Sequence, residues 1–333
     1  MLTAESENTL RLIADVGGTN ARFALVRGSH GLPEQQRTLP TADYPGICDA
    51  IRTYLSQIGS KQPLEAAVAI ANPVTGDLIK MTNSHWTFSV EAARCELGLA
   101  RLLLLNDFTA LALALPTIPP AQLEQVGGGA PVADTPLALI GAGTGLGVSG
   151  LVPSGGGWAP LQGEGGHVTL CATNQREADI IGITQRQYPH VSAERLISGM
   201  GLENLYRAIA LLDNVEPEAL SASQVSERGL AGTCRYCAEA LEIFCAMLGT
   251  VAGNLALTLG SQGGVYIGGG IVPRLEGYFA RSLFRARFEA KGRFERYLAA
   301  IPTYVIRASN PALLGAAMSL GVTPIASASG ATQ

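Results

Sequence analysis

The chain has 333 residues, 47% of them hydrophobic and 15% charged, with a net charge of -4. That balance excludes intrinsic disorder and gives no basic footprint for DNA or RNA, so a small dissolved ligand suits it better than a nucleic acid. The length exceeds what one hydrophobic core usually organises, and two domains or two lobes are expected.

The leading "MLTAESENTL" carries acids where a signal peptide would have its basic region, and the apolar stretch behind it is broken at Asp15, which points to the cytoplasm. "RLIADVGGTNARFALV", residues 11 to 26, is an apolar run, a glycine-rich turn and a second apolar run, the pattern of a β-hairpin. Glycine at its tip permits positive φ and leaves no Cβ between the backbone N–H groups and a ligand, so the turn can form a nest for an anion. Asp15, just before the turn, offers an oxygen ligand for magnesium; its plainer role is to cap the turn.

"RLLLL" (101 to 105) has the pattern of a buried strand, and "FTALALAL" up to Pro116 that of the helix after it. Asn106 and Asp107 then fall at the carboxyl end of the strand, where α/β sheets bind ligands. One such residue suffices to cap a helix, and here are two. A carboxylate there can take a proton from an attacking hydroxyl while the neighbouring amide orients that molecule.

A second hairpin, "LALIGAGTGLGVSGLV" (137 to 152), repeats the first, with Gly143 and Thr144 in the place of Gly18 and Thr19 and Ile140 in that of Asp15. "GEGGHV" (163 to 168) sets Glu164 and His167 three apart around two glycines, and "VSAERLISG" (191 to 199) predicts a helix starting at Ser192 with Glu194 in its first turn. Singly these are ordinary. With Asn106 and Asp107 they make five polar groups on glycine-flanked loops or helix starts, a set able to hydrogen-bond a polyol.

Cys234 and Cys237 are spaced like half a zinc site, but the histidines, at 30, 85, 167 and 190, are distant in sequence, so free thiols are expected. Residues 243 to 273 are uncharged and are read as a buried core helix, about 237 to 260, with Gly249 and Gly253 interrupting any membrane span, followed by the buried strand and bare loop of "GGVYIGGGIVP" (263 to 273). A flat ring could lie on that loop. The chain has three lysines, Lys61, Lys80 and Lys291, none in a glycine-rich turn, which excludes a P-loop. "GLGVSG" (145 to 150) matches a dinucleotide fingerprint but opens no helix. Any phosphate bound by this chain would therefore be held by backbone N–H groups, threonine hydroxyls and a metal ion.

"DVGGTNARFAL", "NDFTALALAL", "GAGTGLGV", "GEGGHV", "SAERLISGMGLENLY" and "GGVYIGGGIVP", in this order, resemble the bacterial glucokinase family, within the superfamily of sugar kinases, heat-shock ATPases and actin. The resemblance runs from about residue 10 to 320. It implies ATP-dependent phosphorylation of glucose at the 6-hydroxyl, on an α/β, two-lobed ribonuclease H-like (actin-like ATPase) fold of mixed sheets flanked by helices around a central cleft. The small lobe would comprise 1–115 and 308–325, with Asn310 and Pro311 starting the returning helix, and the large lobe 116–307.

By the same resemblance Asn106, Asp107, Glu164, His167 and Glu194 hold the sugar, joined by Asn83, with Asp107 as general base. Asp15, Gly17, Gly18, Thr19 and Asn20 with Gly143, Thr144 and Gly145 flank the phosphates, Gly269 and Gly270 border the adenosine, and Asp15 contacts Mg2+ through water. No structural zinc is implied, since only Cys171 follows His167 where a related group has a cysteine-rich loop. The partners are sugar and ATP, with no nucleic acid and no membrane, in a cytoplasmic homodimer. A kinase of fructose, mannose or an N-acylated hexosamine, and a non-catalytic sugar sensor on the same fold, are the competing readings.

Overall fold

The computed structural model describes residues 9–28, 31–60 and 62–321. The leading segment, His30, Lys61 and positions 322–325 of the expected small lobe lie outside them. The chain divides into two units, Met1–Pro120 with Ala308–Gln333, and Ala121–Arg307.

The first unit begins with β1 (Leu10–Val16), β2 (Asn20–Arg27), β3 (Glu34–Pro40), α1 (Ile47–Gln57) and β4 (Glu65–Ile70). It continues with β5 (Leu78–Lys80), β6 (Thr87–Ser89), α2 (Val90–Glu96), β7 (Arg101–Asn106) and α3 (Asp107–Ala114). Its main sheet has the order β3-β2-β1-β4-β7, antiparallel from β3 to β1 and parallel from β1 to β7. Because successive strand residues face opposite ways, Leu12, Ala14 and Val16 of β1 join a core with Ile47, Ile51 and Tyr54 of α1, while Ile13 turns to the other face. Pairing Val16 with Ile70, and Ile70 with Asn106, brings the carboxyl ends of β1, β4 and β7 to one edge.

The second unit holds β8 (Leu123–Gln125), β9 (Leu137–Ala142), β10 (Leu146–Ser154), β11 (Gly157–Gln162), α4 (Gln175–Gln185), α5 (Gly199–Leu212) and α6 (Ala222–Leu230). α7 (Arg235–Leu259), β12 (Val265–Gly268), α8 (Gly277–Arg281), α9 (Phe284–Glu289), α10 (Glu295–Ala300) and β13 (Thr303–Ile306) complete it. The sheet order is β11-β10-β9-β12-β13-β8. The first five strands repeat the first unit: two antiparallel pairings, then two parallel ones. The internal repeat seen in two hairpins therefore extends through both sheets.

α7 is long and apolar enough to cross a membrane, but 78% of its apolar window is buried in this unit, the packing of a core helix. Its glycines serve close packing: a Cβ on Gly249 would stand 2.1 Å from the Phe284 carbonyl oxygen of α9. The expected helix from Ser192 is instead a single 3-10 turn, Ala193–Arg195. The chain leaves helical geometry because the Gly199 N–H donates to the Gly143 carbonyl (2.8 Å), and the Ser198 hydroxyl caps a new helix, α5, by accepting from Gly201 N–H.

The chain then returns to the first unit as α11 (Pro311–Ser319), with Pro311 at its first turn. Leu313, Ala316, Ala317 and Leu320 cover the sheet face formed by Ile13, Ala24, Val26 and Ala67. α11 also lies directly on α3: a Cβ on Gly315 would come within 1.6 Å of the Ala110 carbonyl oxygen.

Candidate active site

In the first unit the polar residues meet at the shared strand edge. Asn106 is the N-cap of α3, its side-chain oxygen accepting from the N–H groups of Phe108 (2.9 Å) and Thr109 (3.2 Å). Its amide donates to Asp107 Oδ1 at 3.0 Å, and at 3.5 Å to the Asn72 carbonyl. Asp107 Oδ1 also accepts from Phe108 N–H at 2.9 Å. One carboxylate oxygen is thus fixed, and Oδ2 carries no bond among the described residues. Asn106 is both cap and orienting group, with its own polar atoms engaged by protein.

Burial pushes the Asp107 carboxyl up to about 6; the Phe108 N–H opposes this, the charge of Asp15 adds to it, and the Asp107 N–H and the Asn106 amide oppose it further. Asp15 pairs with Arg22 across the β1–β2 hairpin (3.3 Å). Burial raises its pKa as well, against the attraction and hydrogen bond of Arg22.

The Gly17–Asn20 turn closes through Gly17 N–H to the Asn20 carbonyl (2.9 Å), and Thr41 holds it by donating its hydroxyl to the Gly18 carbonyl (2.6 Å). Neither Gly17 nor Gly18 has positive φ, so the first of the two reasons expected for glycine there does not apply. Gly18 is needed for close approach: a Cβ would stand 2.4 Å from the carbonyl oxygen of Asn83. Asn83 therefore meets the turn through its backbone, and its side chain is exposed. Thr19 is exposed too.

In the second unit the corresponding turn, Gly143–Gly145, gathers the rest. Glu194 Oε2 accepts from Leu146 N–H at 2.9 Å, and a Cβ on Gly145 would meet the same oxygen at 2.4 Å; again no positive φ is involved. Glu164 precedes, and His167 ends, a 3-10 turn (Gly165–His167) whose Gly166 lies against the Leu146 carbonyl, so they share the start of β10 with Glu194. Both are exposed, with His167 Nε2 4.0 Å from Glu164 Oε2. Gly269, at φ +79°, lies so close to Ala142 that a Cβ would be 2.3 Å from its carbonyl oxygen, and Gly270 N is 3.9 Å from where a Gly143 Cβ would sit. The glycine turn, the start of α5 and the bare loop after β12 thus meet at Gly143.

Sequence reasoning missed Asn72, Arg22 and Thr41. Asn72 Oδ1 accepts from both the N–H (3.0 Å) and the hydroxyl (2.7 Å) of Thr82, tying the Asn83 loop to the Asn106 amide. An Asn-Pro just beyond the apolar run of β4 was the available signal. A cavity of about 430 Å³ lined by Glu203, Tyr206, Arg207 and Glu218 includes none of the predicted site residues.

Two sheets of one repeated topology, each with a glycine turn closing its β1–β2 or β9–β10 hairpin, define the actin-like ATPase fold of the sugar kinases. A glucokinase from Balamuthia mandrillaris, solved in complex with glucose, shares this fold with a TM-score of 0.77 at 19% identity, over 94% of this chain and 93% of its own. A glucokinase from an Antarctic psychrotroph superposes with a TM-score of 0.85 at 36% identity, covering 93% of this chain and 98% of that one. The Glucokinase family profile matches residues 12–322, and a glucokinase of Chromobacterium violaceum is 58% identical over 96% of this chain and 92% of its own length. The chain belongs to the glucokinase family.

Proposed function

We propose that this protein transfers the γ-phosphoryl group of ATP to the 6-hydroxyl of glucose, giving glucose 6-phosphate and ADP, with Asp107 as general base. The observation that carries the reading is the Asp107 carboxylate itself: one oxygen is fixed by Asn106 and the start of α3, the other carries no bond among the described residues, and its pKa of about 6 is suited to accepting a proton near neutrality. In the reaction Oδ2 takes the hydroxyl proton as the sugar oxygen attacks the γ-phosphorus in line and ADP departs.

Asn83, Asn106, Asp107, Glu164, His167 and Glu194 take the sugar hydroxyls in this reading. Glu194 uses one carboxylate oxygen on Leu146 N–H and keeps Oε1 for substrate. The turns at Gly17–Asn20 and Gly143–Gly145 receive the phosphates, and Gly269 and Gly270 the adenosine. Asp15 is a hard oxygen donor at the end of β1 and fits the habit of Mg2+ of taking one carboxylate, substrate phosphates and waters. Bound there, the ion would neutralise phosphate charge. The same reading makes the enzyme a cytoplasmic homodimer that feeds glucose into glycolysis.

Incubation of the pure protein with ATP, magnesium and a panel of hexoses, followed by ADP release and identification of the phosphorylated oxygen, tests it. Turnover on glucose at O6 is expected. Turnover confined to another hexose, or none with any, overturns the assignment.

A further inference from the structure

Six cysteines are free, and they fall into three kinds. Cys48 and Cys245 are buried and single; Cys95 and Cys171 are exposed and single. Cys234 and Cys237 differ: they stand three apart at the start of α7, the 25-residue core helix, one half-exposed and the other buried. Cys234 is the N-cap residue, in extended conformation (φ -138°, ψ 116°), and Cys237 lies in the first turn. Side chains so spaced at a helix start have Cβ atoms about 5–6 Å apart, within a small rotation of disulfide geometry.

The surroundings distinguish the two sulfurs. Cys234 sits at the start of the helix, where the N–H groups of its first turn and the positive charge of Arg228 on α6 favour a thiolate, although no cap bond is formed. Burial works against them, yet together they hold the Cys234 thiol below its usual value. For Cys237, burial first, then the neighbouring Cys234 with its negative charge, push the thiol up to about 12, with Arg228 opposing. Arg228 is anchored by Glu218 (2.9 and 3.0 Å), and the Glu218 N–H donates to the Tyr206 hydroxyl of α5 (3.1 Å), so the groups facing the pair come from α5, α6 and the segment joining them. α6 is seated by Gly229, whose Cβ would stand 2.8 Å from the Cys237 carbonyl oxygen.

From this arrangement we propose that Cys234 and Cys237 form a redox-active dithiol, with Cys234 as the attacking sulfur and Cys237 as the resolving one, that closes to a disulfide by exchange with low-molecular-weight disulfides. The Cys234 thiolate, having released its proton to solvent, attacks one sulfur of the small disulfide and expels a small thiolate, leaving a mixed disulfide on Cys234. Cys237, losing its proton, attacks the Cys234 sulfur and expels the second thiolate. Two protein thiols are oxidised, one small disulfide is reduced to two small thiols, and the protons released are taken up by those thiols.

The full-length protein, equilibrated anaerobically with mixtures of oxidised and reduced glutathione, acid-quenched, alkylated and analysed by peptide mass spectrometry, provides the test. The wild type is expected to lose Cys234 and Cys237 together as one intramolecular disulfide, while Cys95 and Cys171 form only glutathione adducts. Cys237→Ala, which places no polar group in the core, should stop at a glutathione adduct on Cys234. Cys234→Ser, which keeps a good N-cap, should leave Cys237 unmodified, and retained glucose-dependent ADP release shows that each variant is folded. Recovery of both thiols in the wild type under conditions that glutathionylate Cys95 or Cys171 overturns the proposal, as does modification of Cys237 in the Cys234→Ser protein.

Discussion

Asp107→Asn separates what the carboxylate does in the reaction from what it costs the fold. The amide oxygen of the substituted side chain can still accept from Phe108 N–H and from the Asn106 amide, so local geometry is kept. Moving a carboxyl from 3.8 to about 6 makes its ionisation roughly 3 kcal/mol harder in the fold than in the unfolded chain. Partial exposure of the side chain reduces this, and roughly 1–3 kcal/mol is expected. The folded state holds the proton more tightly, so this contribution to stability is fully present below pH 3.8, is lost as pH rises to about 6, and is absent above. The variant should therefore match the wild type near pH 4 and exceed it at pH 8, read from urea midpoints across that range, while kcat falls by roughly 10²–10⁴. A variant no more stable than the wild type at pH 8, or one keeping more than about a tenth of kcat, refutes the reasoning.

For the wild type, kcat/KM should fall by half near pH 6 as Asp107 takes its proton; in Asp15→Asn, where a neighbouring negative charge is gone, the acid limb of that profile should move to lower pH, and an unmoved limb removes Asp15 from the electrostatics of the base. Glu164→Ala and His167→Ala should each raise the glucose KM more than they lower kcat, because their bonds are made in the ground state as well; an unchanged KM in steady-state assays reassigns them. Gly315→Ala drives a methyl group to 1.6 Å from the Ala110 carbonyl and should cost roughly 1–3 kcal/mol or more of stability, measured by denaturant melts.

Much of the fold is legible in the sequence because its signals are local. Both hairpins show as apolar runs around glycine turns, and the Asn106–Asp107 pair interrupts a strand–helix pattern at the position where the structure caps α3. Other features depend on partners distant in the chain. The glycines at 18 and 145 look like positive-φ residues until the Asn83 backbone and the Glu194 carboxylate are placed against them. The helix expected from Ser192 fails because Gly199 spends its N–H on Gly143, a bond that helix propensity cannot anticipate. Asn72 is invisible as an orienting residue until β4 and β7 are paired.

The covering of the first sheet by α11 has a consequence for biosynthesis. A ribosome makes β1, β2 and β4 early, then all of Ala121–Arg307, and only afterwards the helix that shields Ile13, Ala24, Val26 and Ala67. The contiguous unit can mature first, while the other waits with an apolar face bare to chaperones and to other nascent chains. Asp107, on a helix that leans against the late-arriving Gly315, gains its final support only after the whole of the second unit has been made.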